Sequence, residues 1–78
     1  HPKRAQACVE AWLAAEPYSS EALAARAQLV ERLLAIAEER IGASDWKAAR
    51  AALASAEKLD PHNPRLPALR ARLRRAEK

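Results

Sequence analysis

The stretch DWKAARAALASAEKLDPHN, residues 45–63, decides the fold. Its apolar residues Trp46, Ala49, Leu53, Ala56 and Leu59 recur at intervals of three and four, the period of one helix face and not the alternation of a strand. Ser44 or Asp45 stands before it as an N-cap, able to accept a hydrogen bond from an otherwise unpaired amide of the first turn. Asp60-Pro61-His62-Asn63-Pro64 closes it as a corner, because proline lacks the amide hydrogen that a continuing helix needs. The stretch therefore predicts a helix, helix 3, closed at both ends by its own sequence.

Upstream, Gly42 is the only glycine, and it comes after the last periodic residue of a long preceding helix, where it is expected as a left-handed cap. That helix, helix 2, is predicted from about Ser20 to Ile41, roughly 33 Å at 1.5 Å per residue. Its two apolar rows, Leu23/Ala27/Val30/Leu34/Ala37/Ile41 and Leu29/Leu33/Ile36, make a buried arc wider than one neighbour requires, so it is expected to be the central helix. Ser19 and Ser20 are natural caps at its start, and Glu21 sits in the first turn where the helix dipole favours an acid. Helix 1 is predicted from Lys3 to Ala15, with Ala5, Cys8, Val9, Trp12 and Leu13 on one face, and Glu16-Pro17 ends it. Downstream, helix 4 is predicted from about Arg65, with Leu66, Leu69, Leu73 and Ala76 on one stripe. Pro67 falls in its first turn, where the lost N–H is harmless.

The composition points the same way. Alanine supplies 21 of the 78 residues, and a chain rich in Ala, Leu, Arg and Glu reads as all-α, since strands would draw on Val, Ile, Thr and aromatics. Residues 1–78 make one domain near the lower size limit for an independent core. A single Cys excludes an internal disulfide, and with His1 and His62 as the only imidazoles no metal site of ordinary ligand count is expected. One glycine cannot build a phosphate-cradling loop, so no cofactor is expected. No apolar run approaches the roughly 20 residues that span a bilayer. The start at His1-Pro2 in place of Met is expected to mark a fragment or a processed chain.

Charge is unevenly placed. Residues 1–64 carry eight bases and nine acids, whereas residues 65–78 carry six bases and one acid, so the net +4 belongs to the last segment. Arg70, Arg72, Arg74 and Arg75 form a basic patch there. Cations near a helix C-terminus complement its dipole. The same patch offers an alternative function, binding of nucleic acid or an anionic surface.

Residues 42–63 resemble the second half of a tetratricopeptide repeat. Asp45-Trp46, Ala49, Leu53, Ala56 and Asp60-Pro61-His62-Asn63 stand at that family's spacing of acidic cap, aromatic, small, large, small and closing proline. In the family the small residues let the two helices of a repeat approach, the large one fills the space between them, and the proline turns the chain onward. Leu33, Ile36 and Ala37 fit the opening of a repeat, so the best match runs over residues 30–63. Arg40 stands where Tyr is usual, and Ser44 where Gly is usual. Pro17 and Pro61 are 44 residues apart, against a family period of roughly 34, which makes the resemblance one to a long-helix variant. Helix 1 then looks like the second helix of a preceding repeat, and residues 65–78 like a closing helix.

The resemblance implies a four-helix antiparallel α-solenoid fragment acting as a non-catalytic protein–protein interaction module, a scaffold or adaptor domain of a larger protein. Its ligand-binding surface, carried over by position, is Glu31, Leu34, Glu38, Ile41 and Gly42. Family members that clamp a peptide carboxylate place Lys, Arg and Asn at such positions, so the acids here imply a protein or peptide partner of basic and apolar character. Glu31 and Glu38 lie two turns apart on one helix face, about 10 Å, with Leu34 between them as the apolar centre and local bases such as Arg40 as their alternative partners. Self-association through exposed faces of helices 1 and 4 is a further expectation. No enzyme activity is expected, because His62 has no nucleophile or carboxylate partner in a catalytic pattern. Cys8 is expected as a small buried side chain, and Trp12 and Trp46 as core residues.

Overall fold

Each predicted helical period forms a helix in the computed structural model, which describes residues 2–77; His1 and Lys78, the ends of the expected domain, lie outside the described residues. The helices are α1 (Pro2–Ala15), α2 (Ser20–Gly42), α3 (Trp46–Leu59) and α4 (Arg65–Glu77), and no strand occurs among the described residues. The fold is all-α.

Two of the corners are built alike. In Glu16-Pro17-Tyr18-Ser19 the Ser19 amide donates to the Glu16 carbonyl at 3.1 Å, and in Asp60-Pro61-His62-Asn63 the Asn63 amide donates to the Asp60 carbonyl at 3.2 Å. Proline presets the backbone angle at the second position of each turn. The last residue of each turn then caps the next helix. Ser19 Oγ accepts from the Ala22 amide at 3.2 Å, and Asn63 Oδ1 accepts from the Arg65 amide at 2.9 Å. The helices leading into these corners, α1 and α3, are both 14 residues long.

The corner between α2 and α3 departs from the expected one. Gly42 remains helical without a positive φ, and the left-handed residue is Ser44, at φ 61°. The Ser44 amide donates to the Ile41 carbonyl at 3.1 Å and the Asp45 amide to the Arg40 carbonyl at 2.9 Å, the paired bonds of a Schellman closure. The helix thus winds one residue past the last apolar position before it reverses. Asp45, not Ser44, caps α3, its Oδ1 accepting from the Ala48 amide at 3.3 Å. Arg40 pairs with Glu39 at 2.7 Å and reaches Asp45 at 3.5 Å, joining the two helix ends. These carboxylates, the Glu39 hydrogen bond foremost, raise the Arg40 pKa above its ordinary value.

The helix α2 touches all three others, as its wide apolar arc predicts, while α1 and α4 flank it without touching each other. The Cα framework is a slab of 42 × 24 × 14 Å. Its core joins Val30, Leu33, Leu34, Ala37 and Ile41 of α2 to Ala49, Leu53, Ala56 and Leu59 of α3 and to Leu66, Leu69 and Leu73 of α4. Among the described side chains of α1, Val9 alone is buried, and Leu13 packs half-buried against the same core. Trp46 packs half-buried against the core.

Three expectations for the N-terminal half change. Leu23 and Ala27 are exposed while Ala22 is fully buried, Cys8 is exposed, and Trp12 stays 36% exposed. For Leu23 and Ala27 the cause is length: 14-residue α3 runs about 21 Å against about 34 Å for 23-residue α2. The start of α2 therefore projects past α3, leaving the Leu23 side of its arc bare.

This packing generates two testable outcomes. Ala49 is 0% exposed, so Ala49→Leu overpacks the α2–α3 contact and lowers stability by about 1–3 kcal/mol in urea titration; a midpoint equal to that of the unmodified chain would refute close α2–α3 approach. At the corner, a Cβ added to Gly42 meets nothing within 4 Å, so Gly42→Ala stabilises by about 0.4–1 kcal/mol, and Ser44→Gly by a similar amount through relief of the left-handed strain. The two changes together raise the melting temperature by several degrees, whereas Ser44→Val lowers it.

Candidate functional site

The acidic face of α2 is closed by the chain itself. Arg65, at the first position of α4, donates from Nη1 to Glu31 Oε2 at 2.8 Å and from Nη2 to Glu38 Oε1. One guanidinium thus bridges two carboxylates spaced two turns apart, which its forked donors allow. Leu34 is 0% and Ile41 5% exposed. Both belong to the core beneath α4, so the apolar centre expected between the two acids is not offered to solvent. Gly42 is exposed. The local base Arg40, expected beside Glu38, is taken by Glu39 and Asp45. A 34-residue separation in sequence hid the Glu31–Arg65 pair from helix-face reasoning.

The basic patch is likewise divided. Arg70 pairs with Glu57 of α3, and Arg50 of α3 pairs with Glu77 near the end of α4. Arg72, Arg74 and Arg75 are exposed and have no acidic partner among the described residues. The patch therefore contributes three unneutralised guanidiniums, not four.

Sequence reasoning missed two features. The first is the end of the α1–α2 hairpin, where Tyr18 is 93%, Leu23 37% and Trp12 36% exposed, the large apolar side chains least covered in the chain. From Ala5 to Ala25 there is no Lys or Arg. Of the three acids there, Glu10 is tied to Lys58 at 3.7 Å and Glu16 and Glu21 have no ion-pair partner among the described residues. This base-free window was visible in the sequence, but Trp12 was read as core. The second is an open concavity of about 470 Å³ along the α3–α4 corner, walled by Pro61, Pro64 and Pro67 with His62, Arg70 and Arg74 at its rim. Glu57 neutralises Arg70, so Arg74 supplies the net positive charge of that rim. The three-residue proline spacing was its signal.

Neither feature assembles a nucleophile with a base, and no group of three or more His, Cys, Asp or Glu side chains positioned to hold a metal ion occurs among the described residues. Among the described residues no helix is long and apolar enough to cross a membrane. One flank presents exposed aromatics and the unpaired acids Glu16 and Glu21, the other the unpaired guanidiniums of Arg72, Arg74 and Arg75 among the described residues.

The Arg65 bridge makes a direct prediction. Arg65→Met keeps the apolar stem but removes both pairs, and stability falls by about 1 kcal/mol or less at low salt, with the difference shrinking as salt rises. Reversing both Glu31 and Glu38 to Lys likewise destabilises. Urea midpoints of these variants that match the unmodified chain at low salt would mean that Arg65 does not bridge the acids in solution. Against known proteins the chain stands apart: no family model, no curated protein and no solved structure matches it.

Proposed function

We propose that the chain is a non-catalytic protein-interaction module of helical-repeat type, similar to a tetratricopeptide repeat with a lengthened first helix. The observation that carries the interaction reading is the bare end of the α1–α2 hairpin, where Trp12 and Tyr18 stand exposed within a window free of bases. Aromatic side chains give large contact area at low entropic cost and are enriched at binding surfaces. The repeat reading draws support from the like construction of the two proline corners. It also draws on the buried small residues Ala49 and Ala56 flanking Leu53.

The recognition surface moves accordingly, from the α2 face of Glu31 and Glu38 to the hairpin end with Glu16 and Glu21. The expected partner chemistry stays the same: a helix or extended segment carrying bases among apolar residues. The three unneutralised guanidiniums of α4 favour a second reading, contact with a polyanion.

A titration separates the two. In a Trp46→Phe background the remaining indole, Trp12, reports on the hairpin end. A synthetic Arg/Leu amphipathic helix shifts its emission with saturable binding, an Asp/Leu helix of equal length does not, and Glu16→Lys with Glu21→Lys abolishes the shift. Duplex and single-stranded DNA and RNA at physiological salt bind only in the nonspecific range, about 10⁻⁴–10⁻⁶ M. Submicromolar nucleic-acid affinity with a steep salt slope, lost on neutralising Arg72, Arg74 and Arg75, would replace the protein-interaction reading. An indole indifferent to every peptide would dismiss the hairpin end as a surface.

A further inference from the structure

We infer, on the basis of that interaction-module reading, that the chain pairs head to tail with a second copy of itself, the Arg72/Arg75 side of α4 in one copy docking on the Trp12 end of α1 in the next. The acceptor and donor surfaces lie on different helices, α1 and α4, which do not touch each other among the described residues.

On the acceptor flank, Trp12 and Tyr18 are exposed beside Glu16 and Glu21, and no Lys or Arg occurs between Ala5 and Ala25 to neutralise them. An aromatic face next to a free carboxylate recognises a guanidinium in two ways, by cation–π contact and by a charge-assisted hydrogen bond. On the donor flank, Arg65 and Arg70 are occupied within the chain by Glu31, Glu38 and Glu57. Arg72 and Arg75 are exposed without an acidic partner among the described residues. They are three residues apart and therefore neighbours on one face. Ala68 and Ala71, on the outward side of the same helix, leave room for a close approach.

Charge also sets the register. Lys3 and Arg4 at the start of α1 repel the α4 arginines, so Arg72 and Arg75 settle toward the other end, at Glu16 and Glu21. Because the two surfaces differ, the contact is heterologous, and successive copies add in a row instead of closing as a two-fold dimer. A 13-residue helix against a 14-residue helix makes a small contact, below about 1,200 Å², so the association is weak and salt-sensitive.

Sedimentation velocity of the full chain under reductant tests this, from micromolar concentration to about 1 mM, at about 0.05 M and about 0.5 M salt. At low salt the average mass climbs with concentration from 8.6 kDa past that of a dimer, and at high salt it returns toward the monomer. Glu16→Gln with Glu21→Gln removes the acceptor, and Arg72→Gln with Arg75→Gln removes the donor. All four side chains are exposed, so both variants keep the unmodified helicity by circular dichroism, and each alone is monomeric. Mixed, they form one heterodimer and stop there, because each supplies the surface that the other lacks. Cys8, exposed one turn from Trp12, gives an independent reading on the unmodified chain: its alkylation slows severalfold as concentration rises at low salt. A monomer throughout with unchanged Cys8 reactivity overturns the pairing. So does a dimer that saturates at two copies and gains nothing from mixing the variants. In either case the peptide titration still decides the interaction-module reading separately.

Discussion

The packing of α3 on the C-terminal half of α2 is the contact on which the other helices depend. Ala37, Ala49 and Ala56 are each 0% exposed, so at these positions one methyl group is all the space between backbones permits. Leu33, Leu34 and Leu53, each 3% exposed or less, fill the space beside them. Alanine here contributes little transfer energy of its own. What it contributes is proximity, which lets the neighbouring leucines meet at the density of a protein interior. With that pair fixed, α4 closes over Leu34 and Ile41 from one side, and α1 reaches α2 from the other with Val9 and Leu13.

The attachment of α4 shows how charge and packing divide the work. Leu66, Leu69 and Leu73 bury its inner stripe, while Arg65, Arg70 and Glu77 form pairs across to α2 and α3. Half-exposed pairs of this kind add little energy individually, but they fix which way the helix is turned. Each paired arginine sits next to the leucine stripe, and the arginines without partners lie farther around the helix. The charge that dominated the sequence is thus partly consumed inside the fold.

Helix number, order and most of the core were legible because period, caps and proline corners agreed at every boundary, as they do when local and global preferences coincide. The errors share one physical origin: a sequence row says which residues could be buried together, not how far the covering helix extends. Leu23 and Ala27 continue the row of Val30 and Leu34, yet α3 ends before reaching them. Cys8 and Trp12 lie beside Val9 on the helical wheel, yet α2 and α3 together leave that part of the arc of α1 uncovered. Gly42 misled for a different reason. Glycine permits a left-handed turn but does not compel one, and the hydrogen bonds of the Schellman closure set the reversal at Ser44. The candidate surface of Glu31, Leu34 and Glu38 failed through a long-range partner, since nothing near these residues in sequence announces Arg65.

The asymmetry of the two flanks arises from how each outer helix is kept in water. Both α1 and α4 have a neighbour on one side only, and each must present an outer face. In α4 that face is solvated by arginine, whose long stem and permanent charge tolerate exposure at little cost. In α1 it is solvated mainly by default: Ala7, Cys8, Ala11, Ala14 and Ala15 are small enough that exposing them costs little hydrophobic free energy. Trp12 breaks that economy. It stands at the position of α1 that corresponds, counting back from the corner proline, to Ala56 of α3, where the fold admits only a methyl group. The indole stays 36% exposed, a large apolar side chain on a flank otherwise lined by small ones.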